Sequence, residues 1–225
     1  MPPITLYEAK HRRQHPSIKR FLSDAQMFNW ATAKQFRLWF HNSEARDNGR
    51  IERLLKKLSD EKRIRKVFYY GRYVYSVNRL KKRNRTPEYI FHGLGATEGL
   101  IRLWKADPNP KIFLYEHDFT YQKPEFGITY STGGTLLYEF CTFDNVRTLK
   151  SKIIRYEEIL KPGQVVLFVC DYDRDLLKRR ILKYQPQGSF YFTDYDTFKS
   201  VPLGEQLISK IYFSSHGEVE ALRDV

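Results

Sequence analysis

A small group of side chains in the second half of the chain has the types and spacing for phosphodiester chemistry. Glu125 follows Pro124, Glu139 sits in an apolar run further on, and Lys152 and Tyr156 form a Lys-x-x-x-Tyr pair. Cutting a phosphodiester at neutral pH usually needs a divalent metal to activate water and offset transition-state charge. Mg²⁺ and Mn²⁺ take hard oxygen ligands, so carboxylates must converge from separate elements. Glu125 and Glu139 are the candidate metal ligands, and Glu98 is a third acid upstream. Lys152 is the candidate cation for orienting water, and Tyr156 lies one helical turn from it. Each also has a plainer reading. Glu139 reads equally as a buried, partnered carboxylate with Lys152 as the partner. Glu98 reads as a solvated helix residue, Glu125 as the start of a strand and Tyr156 as core.

The elements that must position these groups are legible around them. "YQKPEFGITYSTGGTLLYEFCTF", Tyr121 to Phe143, has two apolar arms flanking Gly133-Gly134 and predicts a hairpin. Glu125 opens the first arm and Glu139 lies within the second. "FHGLGATEGLIRLWKA" predicts a helix carrying Glu98, and "KIFLYEHDF" a strand. "NVRTLKSKIIRYEEIL" is an amphipathic helix, "VVLFVCDY" a strand buried on both faces, "DRDLLKRRILKY" a helix and "SFYFTDY" a strand. The order α-β-β-β-α-β-α-β predicts a mixed sheet with helices on its faces. "CDYDRD" is a second acidic cluster, either a helix cap through Asp173 or a rival metal site.

The N-terminal third has a different pattern. Ile18, Phe21, Leu22, Ala25 and Phe28 recur at helical spacing, and Thr32 with Gln35 has capping-box form. "RIERLLKKLSDEKRI" predicts a third helix with one apolar face and a basic remainder. "IRKVFYYGRYVYSV" then predicts a hairpin turning at Gly71. Three short helices and a basic hairpin are the order of a winged helix-turn-helix, which sets its third helix in a major groove and its wing on flanking backbone. Arg46, Arg50, Arg53, Lys56 and Lys57 are the candidate DNA contacts on and before the helix, with Lys66 and Arg72 on the wing. "NRLKKRNRTPEY" reads as a basic linker whose Lys81, Lys82 and Arg83 can reach phosphates. The expected division is residues 1–80, a linker over 81–89, and an α/β domain over 90–225.

The bulk numbers agree with a nucleic-acid partner. Among 225 residues, 39 Lys+Arg stand against 26 Asp+Glu, a formal net charge of +13. Such an excess favours polyanions. Hydrophobic residues make up 41%, enough for packed cores, which excludes wholesale disorder. Cys141 and Cys170 lack zinc-ligand spacing and read as buried thiols in a reducing compartment. No run approaches the ~18 apolar residues of a membrane span. The expectation is a cytoplasmic, nucleoid-associated protein with double-stranded DNA as partner and no membrane.

The element order with Pro124-Glu125 and Glu139-Phe140-Cys141 resembles the PD-(D/E)xK nuclease fold, with Glu for the family's Asp and Cys141 where the family has Lys. Some branches of that superfamily move the lysine onto the next helix, where Lys152 stands here. Taking in the N-terminal module, His92, Leu94, Glu139, Lys152, Tyr156 and "FYFTDYD", the chain from about Ser17 to Ser214 resembles the replication-relaxation family of plasmids and integrative elements. The resemblance implies an α/β (α+β) chain, a winged helix-turn-helix followed by a nuclease-like domain. It implies a DNA-binding accessory role in replication or mobilisation, with Mg²⁺ or Mn²⁺ if the site cuts and otherwise no cofactor. A homodimer and replication or transfer proteins of the same element are the further partners it admits. A metal-dependent nickase using Glu125, Glu139 and Lys152 is the enzymatic alternative, and a winged-helix transcriptional regulator a further one. A relaxase with a tyrosine nucleophile ranks below these, because no His-hydrophobe-His metal motif is present.

Overall fold

Ser17 caps the first helix, its Oγ accepting from the Arg20 amide at 3.2 Å. That helix, α1, covers Ile18–Ala25. A short strand, β1 (Ala31–Thr32), leads directly into α2 (Ala33–His41). Here the capping box forms as its sequence predicts. The Gln35 amide donates to Thr32 Oγ1 at 3.1 Å, and the Thr32 amide donates to Gln35 Oε1 at 3.0 Å. Then come α3 (Arg50–Asp60) and the hairpin β2 (Arg65–Tyr69) and β3 (Arg72–Ser76). Gly71 at the turn has φ +77, a conformation open to glycine at no steric cost. The strand β1 escaped the sequence reading. It is only two residues long, and it pairs antiparallel with β3 to give a sheet of order β1-β3-β2.

The computed structural model describes residues 16–41, 49–77, 86–105, 111–113, 124–130, 134–142, 146–200, 212–215 and 218–221. Within them the protein is α+β, with seven helices and two sheets. It falls into two compact units that divide between Ile101 and Arg102. That division lies inside α4 (Pro87–Lys105), whereas composition pointed to 81–89. The helix begins at Pro87, within the segment read as linker, because a proline lacking an N–H suits a first helical turn. Its early turns are held by the N-terminal unit. Ile90 and Leu94 share a core cluster with Trp30, Tyr69 and Val74, and Thr97 Oγ1 donates to the Trp30 carbonyl at 2.7 Å. A Cβ on Gly93 would sit 3.0 Å from Trp30 Cδ1, so the glycine permits this approach.

The C-terminal unit is built on one sheet. Its elements are β4 (Lys111–Phe113), β5 (Phe126–Thr129), β6 (Thr135–Cys141), α5 (Val146–Ile159), β7 (Gln164–Cys170), α6 (Arg174–Tyr184), β8 (Phe190–Asp194), α7 (Tyr195–Ser200), β9 (Tyr212–Ser215) and β10 (Glu218–Ala221). The strand order is β10-β9-β8-β7-β6-β5-β4. β4, β5 and β6 form an antiparallel meander, and β6, β7 and β8 run parallel. The switch follows from the connections, since α5 and α6 each carry the chain back to the end of the sheet where the preceding strand began. The central strands are buried along most of their length, as the apolar run of β7 predicts. The sequence reading stopped at β8 and did not include α7, β9 or β10.

Candidate functional site

Alternation along β6 decides what faces what. Leu137 and Cys141 enter the core cluster that includes Leu149, Ile153 and Tyr156 of α5 and Phe168 of β7. Tyr138 and Phe140 face the other way, towards Phe126, Tyr195 and Phe198. Glu139, two residues from both Leu137 and Cys141, therefore points into an apolar core, and it is 0% exposed.

A carboxylate placed there must be partnered. The i, i+4 spacing on α5 supplies both partners. Lys152 Nζ ion-pairs with Glu139 Oε2, and Tyr156 OH donates to Oε1 at 2.7 Å. Lys152 is nearly covered, with 16% of its side chain accessible. Glu125 lies just before β5, one residue beyond the Phe126–Tyr138 strand pair, and its amide donates to the Tyr138 carbonyl at 2.9 Å. Its charge reaches both Glu139 and Lys152.

The electrostatics report the same cluster. Burial pushes the Glu139 carboxyl up from its ordinary range, the Lys152 ammonium pulls it down, and the Glu125 charge adds to the rise. Burial pushes Lys152 down, but Glu139, Cys141 and Glu125 outweigh it, and the net shift is upward. Burial and then Glu139 raise the Tyr156 hydroxyl, so it stays protonated and donates. The rise at Glu139 argues for a neutral acid, and the rise at Lys152 argues for an ion pair. Two donors, one per carboxylate oxygen, decide for the ion pair at neutral pH.

The thiols belong to this neighbourhood. Cys141 and Cys170 are register partners on the parallel strands β6 and β7, and both are buried thiols not joined in a disulfide. Burial, followed by the bond to Cys141, pushes the Cys170 thiol well above its ordinary value. A thiol at position 141 is no substitute for an ammonium, and the positive charge here comes from Lys152 of α5.

Of the residues singled out for chemistry, the structure brings Glu125, Glu139, Lys152 and Tyr156 together. Glu98 falls in the N-terminal unit, where Gln35 Nε2 donates to its Oε2 at 3.1 Å. Helical periodicity runs unbroken through α4 and by itself assigns Glu98 to the second domain, whereas packing divides that helix between Ile101 and Arg102. Asp173 acts as the cap of α6, its Oδ1 accepting from the amides of Asp175 and Leu176 at 3.0 and 3.1 Å. Among the described residues no group of three or more His, Cys, Asp or Glu is placed to hold a metal ion. Each oxygen of Glu139 already accepts from a donor. As placed, the cluster fits a buried ion pair better than a divalent-ion site.

In the N-terminal unit α3 buries Ile51, Leu54, Leu55 and Leu58. Arg50, Arg53, Lys56 and Lys57 lie on its exposed face. Lys56 and Lys57 pair along the helix with Asp60 at 2.8 Å and Glu61 at 3.9 Å, and an Arg37–Glu52 ion pair ties α2 to α3. The two lysine pairs are exposed, and pairs of that kind are weak and exchangeable for phosphate. Lys66 and Arg72 are exposed on the hairpin. Arg46, Lys81, Lys82 and Arg83 lie outside the described residues. The sequence reading passed over Phe68 and Tyr73, which are exposed on the same hairpin; the alternation Lys66-x-Phe68 was the available signal.

Compared with protein-family models, curated proteins and solved structures, the chain has no match.

Proposed function

We propose that the protein is a double-stranded-DNA-binding accessory factor whose N-terminal unit acts as a winged helix-turn-helix. The observation that carries this is α3: four cations on the face opposite a buried Ile-Leu stripe, followed directly by a basic hairpin. The net charge of +13 supports it. The C-terminal unit, with its β-β-β-α-β-α-β run from β4 to β8 and its Glu139–Lys152 pair, is then a nuclease-like domain that supports assembly or holds DNA. Its buried, doubly bonded Glu139 supports a structural role over a cutting one. The resemblance to the replication-relaxation family supports a role in replication or mobilisation of a plasmid, phage or integrative element.

The test is a fluorescence titration of labelled duplex across salt. Affinity falls steeply, with log K linear in log salt and a slope of about −0.9 per phosphate contacted. Absence of binding to every duplex at low salt sinks the reading.

The meeting of Glu139 with Lys152, and the reach of Glu125's charge to both, favours a second reading as a metal-dependent nickase. The leading reading expects supercoiled plasmid to survive incubation with Mg²⁺ or Mn²⁺. Nicking by the wild type that disappears in Glu125→Gln, a side chain outside the buried pair, would establish the enzyme instead.

A further inference from the structure

The β2–β3 hairpin has one packed face and one open face. Val74 and Tyr69 pack with Trp30, Ile90 and Leu94, and Val67 lies against them. The open face carries Phe68, 64% exposed, and its register partner Tyr73, 49% exposed. Their rings meet edge-on at 5.3 Å. Lys66, two residues before Phe68, sets its ammonium 3.8 Å from the centroid of the Tyr73 ring. Tyr70 stands at the turn, 80% exposed. Large aromatics left on a solvent face among the described residues are costly to keep and mark a contact surface.

What they would contact follows from the charge around them. A cleft of about 650 Å³ opens at the base of the hairpin, lined in part by Lys62, Arg63, Arg65 and Lys66 with Ser59 and Ser76. No carboxylate is among its described lining residues. Lys66 belongs to both features: it lines the cleft and lies on the Tyr73 ring. Arg63 pairs with Glu61 at 3.5 Å, and Lys62, Arg65 and Lys66 carry the positive charge from the cleft to the aromatic face. A strand of nucleic acid has this pattern in reverse, with phosphates along one edge and flat π-faces along the other. In a closed duplex those π-faces are covered by neighbouring base pairs. Rings on a hairpin surface can stack only where bases are unpaired.

We propose that this hairpin and cleft hold unpaired DNA, with bases stacked on Phe68 and Tyr73 and phosphates drawn to Lys62, Arg65 and Lys66. The proposal rests on the DNA-binding reading and narrows it: α3 takes duplex, and the hairpin takes the single strand where a duplex opens. The same protein would then prefer a junction to either form alone.

The test uses the full chain and anisotropy of a labelled oligo-dT, a duplex of equal length, and anionic phospholipid vesicles. The variant is Phe68→Ser with Tyr73→Ser, both on an exposed face, with circular dichroism to verify folding. Oligo-dT affinity is expected to fall by about 10- to 100-fold, from loss of one or two stacked bases, with duplex affinity within about threefold. Lys66→Gln is expected to lower the salt slope for oligo-dT by about 0.7. Equal losses for duplex and oligo-dT overturn the proposal and make the rings ordinary wing contacts. No loss for either overturns it and leaves the duplex reading standing. Vesicle binding that the variant loses, with oligo-dT unaffected, assigns the face to a membrane surface. A wild type that binds neither DNA form removes the underlying reading itself.

Discussion

Lys152→Met lowers the stability of the protein by about 3–5 kcal/mol at neutral pH, the usual cost of leaving a buried charge without its partner. Glu139 is fully buried, and after the substitution only Tyr156 OH still donates to it. The loss is pH-dependent, and its sign follows from the direction of the Glu139 shift. Burial raises the folded carboxyl above its unfolded value of 4.5. Without the ammonium that pulls it down, it rises further. Below about pH 4.5 the carboxyl is protonated in both states, and stability with respect to this group is intact. As pH climbs through the raised folded value, the unfolded chain releases its proton more readily than the folded one, and stability falls. Urea unfolding of the variant is therefore expected to show a far smaller deficit near pH 4.5 than near pH 7. A deficit equal at both pH values would mean that Lys152 acts by packing its alkyl stem. The double substitution Glu139→Gln with Lys152→Met recovers part of the loss, because no charge is left buried.

Reversing three charges on α3, with Arg50→Glu, Arg53→Glu and Lys57→Glu, abolishes duplex binding at physiological salt. Each cation removed takes about one unit from the salt slope, and each acid introduced repels a phosphate. Affinity is expected to fall by at least about 10³-fold. These side chains lie on the exposed face, opposite Ile51, Leu54, Leu55 and Leu58, so folding survives. The thermal midpoint is expected to shift little, which circular dichroism checks. Duplex binding that survives at near wild-type strength would move the interface off α3 and end the winged-helix reading. The same variant is expected to keep most of its oligo-dT affinity, since the hairpin and cleft are untouched.

Much of the architecture was readable from local pattern. The Thr32–Gln35 capping box formed because both halves of that motif lie within one turn. The amphipathic stripe of α3, the hairpin at Gly71 and the buried strand β7 are equally local: period 3.6, a glycine with positive φ, and an unbroken apolar run. The pairing of Lys152 with Glu139 was also anticipated, because an acid inside an apolar strand demands a cation and the next helix offers one. Beyond the short C-terminal elements α7, β9 and β10, what escaped was non-local. β1 has no pattern of its own, being two residues that become a strand only by lying against β3. The allegiance of Glu98 turned on Trp30 and Gln35, distant in sequence, which claim the early turns of α4.

By itself, then, the sequence determined most of the elements from α1 to β8, the basic character of the N-terminal unit and the kinds of side chain at the Glu139 cluster. These follow from periodicity, charge and capping, which act over a few residues. Only the tertiary structure decided that both Glu139 oxygens are occupied, that Cys141 meets Cys170, and that Phe68 and Tyr73 are left in solvent beside Lys66. Those outcomes depend on strand register and on which face each element buries. Register and face are settled by the packing of the whole unit, since a one-residue slip would exchange every inward side chain for an outward one.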